Sequence, residues 1–142
     1  MSAFDSKDLA GPQAIDTIRS ATSADADAVF ALVQQFATSF RSHRDAFDLG
    51  LRELLSDGSA WIAVAERGDE IVGYGLGFDH ATLFAGGRVA WLEEIMVQQE
   101  HRRQGLGARL VAAFEHWATN RGAKLVALAT RRATPFYAAL GY

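Results

Sequence analysis

The sequence predicts an α+β domain built on one mixed β-sheet, and three observations carry that prediction. Apolar residues switch repeatedly between helical spacing and strand alternation along the chain. A strand, a glycine turn, a helix and another strand follow one another across residues 89–129, and a crossover through a helix makes its two strands parallel. Two earlier strands are separated only by Arg67-Gly68-Asp69-Glu70, short enough to force an antiparallel hairpin. A sheet holding both kinds of pair is mixed, with the helices laid against it.

Taken in order, residues 1–13 combine Gly, Pro and charged side chains and read as a flexible lead-in. Ile15 to Thr22 alternates as a first strand. Thr22-Ser23-Ala24-Asp25 caps a helix with an acid in its first turn, and Val29, Leu32, Val33, Phe36 and Phe40 follow at its spacing. Phe47, Leu51, Leu54 and Leu55 repeat the pattern in a second helix, stopped at Asp57-Gly58. Ala60 to Glu66 and Ile71 to Phe78 form the hairpin, with Gly73, Gly75 and Gly77 on one face and Tyr74, Leu76 and Phe78 on the other. A bare glycine face admits a helix or a ligand, and close helix packing is its commoner use.

Asp79 to Arg88, with Gly86-Gly87, reads as a loop before a strand over Val89 to Val97. Leu106, Leu110, Val111, Phe114, Trp117 and Ala118 then share one helix face from near Gly105 to Asn120, and Arg121-Gly122 supplies the cation and glycine that helix ends prefer. Lys124 to Ala129 reads as a buried strand. The chain closes on a short helix from Thr134 to Gly141, with Pro135 in its first turn and Gly141 past its end.

At 142 residues, 49% hydrophobic and 22% charged, the chain suits a single globular domain over 1–142. A net charge of -3 argues against nucleic acid as a partner. The absence of cysteine removes disulfides, thiolate zinc sites and a cysteine acyl-enzyme. His43, His80, His101 and His116 show no ligand spacing, so no metal is expected. No basic leader precedes an apolar core and no run approaches a membrane span, which makes the cytoplasm the default compartment and a membrane partner unexpected.

The informative stretch is Trp91 to Leu110, WLEEIMVQQEHRRQGLGARL. Between its strand and its helix sit Arg102, Arg103, Gln104, Gly105, Leu106, Gly107 and Ala108, where unpaired helix N-H groups and the positive end of the helix dipole meet. That is an anion site, best suited to phosphate. A P-loop would need Lys and then Ser or Thr after its last glycine, whereas Gly107 precedes Ala108 and Arg109. A dinucleotide fingerprint would want Gly or Ala where Leu110 stands.

The run Arg102-Arg103-Gln104-Gly105-Leu106-Gly107 resembles the Arg/Gln-x-x-Gly-x-Gly/Ala signature of the GCN5-related N-acetyltransferases (GNAT), and Leu92-Glu93-Glu94-Ile95-Met96-Val97 resembles the strand that family places before it. Phe136-Tyr137-Ala138-Ala139-Leu140-Gly141-Tyr142 resembles the family's Phe-Tyr-x-x-x-Gly-Phe/Tyr helix. The Leu-Glu-Glu-Ile-Met-Val pattern is also similar to the spermidine/spermine acetyltransferase-like branch. The resemblance implies a GNAT-like sheet that receives acetyl-CoA as acyl donor, with the loop amides around the diphosphate and the main chain of Ile95, Met96 and Val97 along the pantetheine arm.

The resemblance further implies direct acetyl transfer to a primary amine of a small molecule or peptide, with Glu93 as base through water, Glu94 as second choice, and Tyr137 as the acid. In a regular strand, adjacent Glu93 and Glu94 point to opposite faces, so one of them faces the cleft. The other reading of the resemblance is a noncatalytic CoA-binding sensor or partner subunit, and a homodimer stays open. Three departures stand out. Thr130 takes the place of the family's usual Asn beside the cofactor arm, Gln99 and His101 replace its common Pro and Tyr, and the family's last strand is missing after Tyr142. Arg41, Arg44 and Asp45 lie where such folds carry acceptor-specificity loops, and His80 with Asp79 could line the acceptor pocket or be plain loop.

Overall fold

A computed structural model describes residues 16–36, 40–129 and 133–142. Five strands, β1 (Asp16–Ser20), β2 (Ala60–Arg67), β3 (Glu70–Thr82), β4 (Gly87–Val97) and β5 (Leu125–Leu128), form one sheet in the order β1-β2-β3-β4-β5. The first four pair antiparallel and β5 joins β4 in parallel, so the sheet is mixed as expected. Helices α1 (Ala26–Phe36) and α2 (Arg44–Ser56) connect β1 to β2, α3 (Leu106–Asn120) makes the crossover from β4 to β5, and α4 (Thr134–Ala139) closes the described chain. Among the described residues no helix is long and apolar enough to cross a membrane.

The start of the first helical segment is fixed by the predicted cap, because the Thr22 N-H donates to Asp25 Oδ2 at 2.8 Å. A single 3-10 turn over Ser23–Asp25 precedes α1, and the buried Asp25 carboxylate also takes two hydrogen bonds from Arg19, which reaches on to Glu66 of β2. The cap therefore pins α1 to the sheet edge.

Two apolar clusters lie on opposite faces of the sheet. On one, α1 sets Val29 and Leu32 against Val64, Tyr74 and Met96. On the other, α3 packs Leu106, Leu110, Val111, Phe114 and Ala118 on Trp61, Ala63, Ala65, Val72 and Leu92, with α4 contributing Phe136, Tyr137 and Leu140 at the margin. The β3 glycines are what allow this second packing. A Cβ on Gly77 would stand 2.3 Å from the Phe114 ring, and one on Gly75 would stand 2.6 Å from the Trp61 ring. The bare face is filled by protein, as close helix packing requires.

The sequence reading fails at Asp79 to Thr82. These residues are strand, not loop, paired with Ala90, Val89, Arg88 and Gly87, and only residues 83–86 turn, leaving Leu83 and Phe84 exposed at the tip. A charged residue in a run of glycines looks like loop, but here the carboxylate is neutralised inside the sheet. Asp79, with its side chain 0% exposed, receives Arg88 at 2.9 Å and Arg121 at 2.6 Å. Arg121 in turn lies over the Trp117 ring, so the end of α3 is tied to the β3–β4 hairpin. His80 is an exposed strand residue rather than a loop residue. β5 also differs from expectation, since Leu125 is 48% exposed and no strand pairs with its outer edge among the described residues.

The two guanidinium groups, Arg88 first, hold the Asp79 carboxyl at about 2, below its ordinary 3.8. A depressed carboxyl favours the folded state above its unfolded value, a contribution of about 2 kcal/mol that is lost as pH falls through that interval. Asp79→Asn is expected to lower the unfolding free energy at neutral pH by about 2–3 kcal/mol in urea titrations, the gap to the parent protein closing as pH approaches 2.

Candidate active site

Pairing between β4 and β5 runs from Val89↔Leu125 to Leu92↔Leu128 and stops there, while β4 continues to Val97. From Glu93 onward β4 has no neighbour on that side among the described residues. Its alternation is set by the Gln98 N-H, which donates to Val72 of β3. Gln98, Met96 and Glu94 therefore turn their main chain toward β3, and Ile95 and Val97 turn theirs toward the gap. This corrects the expectation that Met96 shares that role, because its main chain is engaged by β3. The Val97 carbonyl accepts from Arg102 Nε at 2.9 Å. Both main-chain groups of Ile95 and the N-H of Val97 are left facing the gap.

A bulge reshapes the acidic pair. β3 pairs Gly77 with Leu92 and Leu76 with Glu94, so Glu93 is the extra residue. The alternation expected for a regular strand breaks at this point, and both carboxylates line one cleft of about 990 Å³ instead of pointing to opposite faces. The pair was visible in the sequence; the bulge was not, because its register depends on β3.

The two acids occupy different surroundings. Glu93 is exposed and accepts from Trp91 Nε1 at 3.0 Å. Glu94 accepts from the buried Tyr74 hydroxyl at 2.8 Å through Oε1, and Oε2 has no hydrogen-bond partner among the described residues. Burial pushes the Glu94 carboxyl above the usual carboxylate range and the neighbouring Glu93 charge adds to this, while the Tyr74 hydrogen bond opposes it. Tyr74 itself is driven strongly upward, by burial first and then by the Glu94 charge, so its phenol stays a donor. Sequence reasoning missed Tyr74, whose place opposite Met96 and diagonal to Glu94 depends on strand register.

Across the gap, α4 presents Tyr137 to the same cleft. Its ring meets Phe136 and Tyr142 edge-on, at 4.9 and 6.3 Å between centroids, and its hydroxyl has no hydrogen-bond partner among the described residues. Burial raises its pKa, so the phenol carries its proton throughout the neutral range. The cleft also reaches Val97 and Arg102, the residues that lead into the glycine loop.

In that loop the amides of Gln104, Gly105, Leu106, Gly107 and Ala108 donate to no acceptor among the described residues; the first turn of α3 closes only with Arg109 N-H on the Gly105 carbonyl. The two glycines do different work. Gly105 sits at φ 81, the left-handed region that favours glycine, with nothing within 4 Å of a would-be Cβ. Gly107 is compatible with side chains in its backbone, but a Cβ there would stand 3.1 Å from the Phe136 ring, so its bareness lets α4 approach. Arg103 also holds a positive φ of 62, which costs on the order of 1 kcal/mol for a residue with a Cβ. Successive amides in such a turn form a concave donor set suited to an anion.

The arginines divide as well. Arg103 is exposed and makes no ion pair among the described residues, Arg102 folds back on Val97, and Arg109 donates to the Asp16 carbonyl at 3.1 Å. Gln104 is held by Arg67, which also pairs with Asp16 and lies 3.1 Å from His101 Nδ1. Arg44 is committed to Asp27 and Asp48, and neither it nor Arg41, Asp45 or His80 lines the cleft. Thr130 lies outside the described residues.

The mixed sheet opens beside a bulged strand, with a donor loop at one end and a carboxylate and a phenol within, and the Acetyltransferase (GNAT) family matches residues 26–142. The chain belongs to that family and is an acetyltransferase. It is similar to the uncharacterized N-acetyltransferase YhfO of Bacillus subtilis (strain 168), 28% identical over 131 residues that make up 88% of each chain. Among solved structures it is similar to a transcriptional regulator from Bacillus halodurans C-125, with 26% identity, a TM-score of 0.80 and coverage of 90% of this chain and 93% of that one. The aminoglycoside N-acetyltransferase AAC(6')-Iy, in complex with CoA, shares the fold at a TM-score of 0.85 and 22% identity, covering 94% and 91% of the two chains.

The opposed influences on Glu94 can be read directly by carboxyl NMR titration. Tyr74→Phe removes a donor to the charged form and should raise the Glu94 midpoint further. Glu93→Gln removes a like charge and should lower it; the same direction of change in both variants would contradict this account.

Proposed function

We propose that the protein transfers an acetyl group from acetyl-CoA directly to a primary amine bound in the same cleft, forming a ternary complex. The observation that carries this reading is the convergence of a shielded carboxylate on β4 and a protonated phenol on α4 in one cleft, where β4 has lost its neighbour. Acetyl-CoA supplies an acetyl thioester. The residues present suit it, because the unpaired amides of Gln104 to Ala108 can receive a diphosphate and the free edge at Ile95 and Val97 can pair with an extended amide-bearing arm. Arg103 adds positive charge at the loop without a competing partner among the described residues.

An ammonium must lose a proton before its nitrogen can attack the thioester carbon. Both glutamates attract the cation, and Glu94 is the better acceptor of that proton, because burial raises its pKa while Oε2 stays unoccupied. This reverses the order of preference that the sequence resemblance implied and leaves Glu93 to hold the cation electrostatically. As the C–N bond forms and the C–S bond breaks, Tyr137 gives its proton to the departing sulfur, and the second proton that the nitrogen sheds in becoming an amide passes through solvent to restore the phenol, while Glu94 returns the first proton to water. The electron pair of the broken bond stays on sulfur, so products are the amide and the free thiol. The chain itself is never acylated. A single domain over 1–142 and a small-molecule or peptide amine as partner belong to the same reading.

Acceptor-dependent thiol release tests the assignment. Tyr137→Phe should lower kcat by about 10- to 100-fold with the affinity for acetyl-CoA nearly unchanged, and Glu94→Gln should cost more in kcat/KM than Glu93→Gln. Unchanged turnover in Tyr137→Phe refutes its role. Gly105→Val, by contrast, should weaken acetyl-CoA binding about tenfold or more in calorimetry and lower Tm by a few degrees at most, since the position is unpacked but its positive φ strains a residue with a Cβ.

A further inference from the structure

The wall of the cleft facing the acidic pair comes from α1, Phe40, Ser42 and α2, and apart from Gln35 and Ser42 its described lining is apolar. Phe36 is 41% exposed and Phe40 78% exposed, both line the cleft, and neither ring packs on another ring among the described residues. Phe47 and Leu54 continue this apolar surface. Large aromatic side chains turned into a concave space are the usual lining of a site for an apolar ligand.

Among the described residues that wall carries no charge, and the only carboxylates lining the cleft are Glu93 and Glu94, side by side on β4. Of the charged residues on α2, Arg44 is spent on Asp27 and Asp48, with its guanidinium over the Phe30 ring, and Asp45, Arg52 and Glu53 do not line the cleft. A second or third ammonium carried away from the acidic pair would face hydrocarbon without a counter-charge, an unfavourable desolvation.

The helix also leaves room. Ala46 and Gly50, one turn apart on α2, both line the cleft. A Cβ at Gly50 would meet nothing within 4 Å, so no packing demands glycine there, and glycine inside a helix is otherwise unfavourable. The missing side chains form a notch beside Phe47 that can accept a flat or branched group.

Building on the acetyl-transfer reading, we propose that the acceptor is a small monoamine whose single ammonium meets Glu93 and Glu94 and whose apolar, preferably aromatic, body lies against Phe36, Phe40 and the Ala46–Gly50 notch. A polyamine or an aminoglycoside does not fit this distribution of charge.

The full chain, saturated with CoA, is titrated by calorimetry with phenethylamine, spermidine and kanamycin, and the same amines are assayed for thiol release with acetyl-CoA. Phenethylamine is expected to bind at least about tenfold more tightly than either polycation. Gly50→Leu is expected to weaken phenethylamine about tenfold while Tm holds or rises and acetyl-CoA affinity stays the same, because the new side chain fills the notch and favours the helix. Tighter binding of spermidine or kanamycin, no binding of phenethylamine, or indifference of phenethylamine to Gly50→Leu overturns the proposal. Binding of phenethylamine with the predicted Gly50 effect but without thiol release upholds the ligand class and refutes the transfer reading on which it was built.

Discussion

Parallel pairing between β4 and β5 lasts only from Val89 to Leu92, and the rest of the molecule depends on its ending there. Had the ladder continued, the main chain of Ile95 and Val97 would be satisfied by β5 and α4 would have no gap to face. What ends it is partly local. The bulge at Glu93 bends β4, and a bulged strand cannot stay in register with a straight parallel neighbour. The same bend brings both carboxylates onto the side where the α1–α2 layer stands off the sheet. One irregularity of backbone thus opens a cleft and places its acid groups.

The two ends of α3 are held by different means. At its start the amides of Gln104 to Ala108 have no acceptor among the described residues, beside the strained Arg103 and the left-handed Gly105, an arrangement that costs free energy in the isolated protein and suits an anion. At its finish Arg121 binds the buried Asp79 carboxylate together with Arg88. A helix anchored firmly at one end and flush against Gly77 has little freedom to shift along the sheet, so its other end presents its donors at a fixed place relative to β4.

Features that depend on sequence-local physics were legible in the chain. The cap at Thr22 and Asp25, the glycine turn before α3, the glycine past α4 and the helical spacing from Leu106 to Ala118 all act within a few residues, and each is where the pattern placed it. Features set by pairing between distant segments were not. Asp79 reads as loop until Arg121, far along the chain, is seen to neutralise it. The order of Glu93 and Glu94 could not be judged without the bulge, and Tyr74 entered only through its register with Met96. The acceptor wall was partly legible, since Phe36, Phe40 and Phe47 marked helix faces, but their helical spacing reads equally well as core. Only the space between α1, α2 and β4 separates the two meanings.

The bare stripe on β3 has a reach beyond packing. Gly75 and Gly77 touch no part of the cleft, yet any side chain there would push α3 or Trp61 off the sheet and carry the donor loop with it. In a survey of inactive variants these positions would score as severely as those of the proposed site, and a map of sensitivity alone would draw the active centre too large, extending it through the sheet to its opposite face.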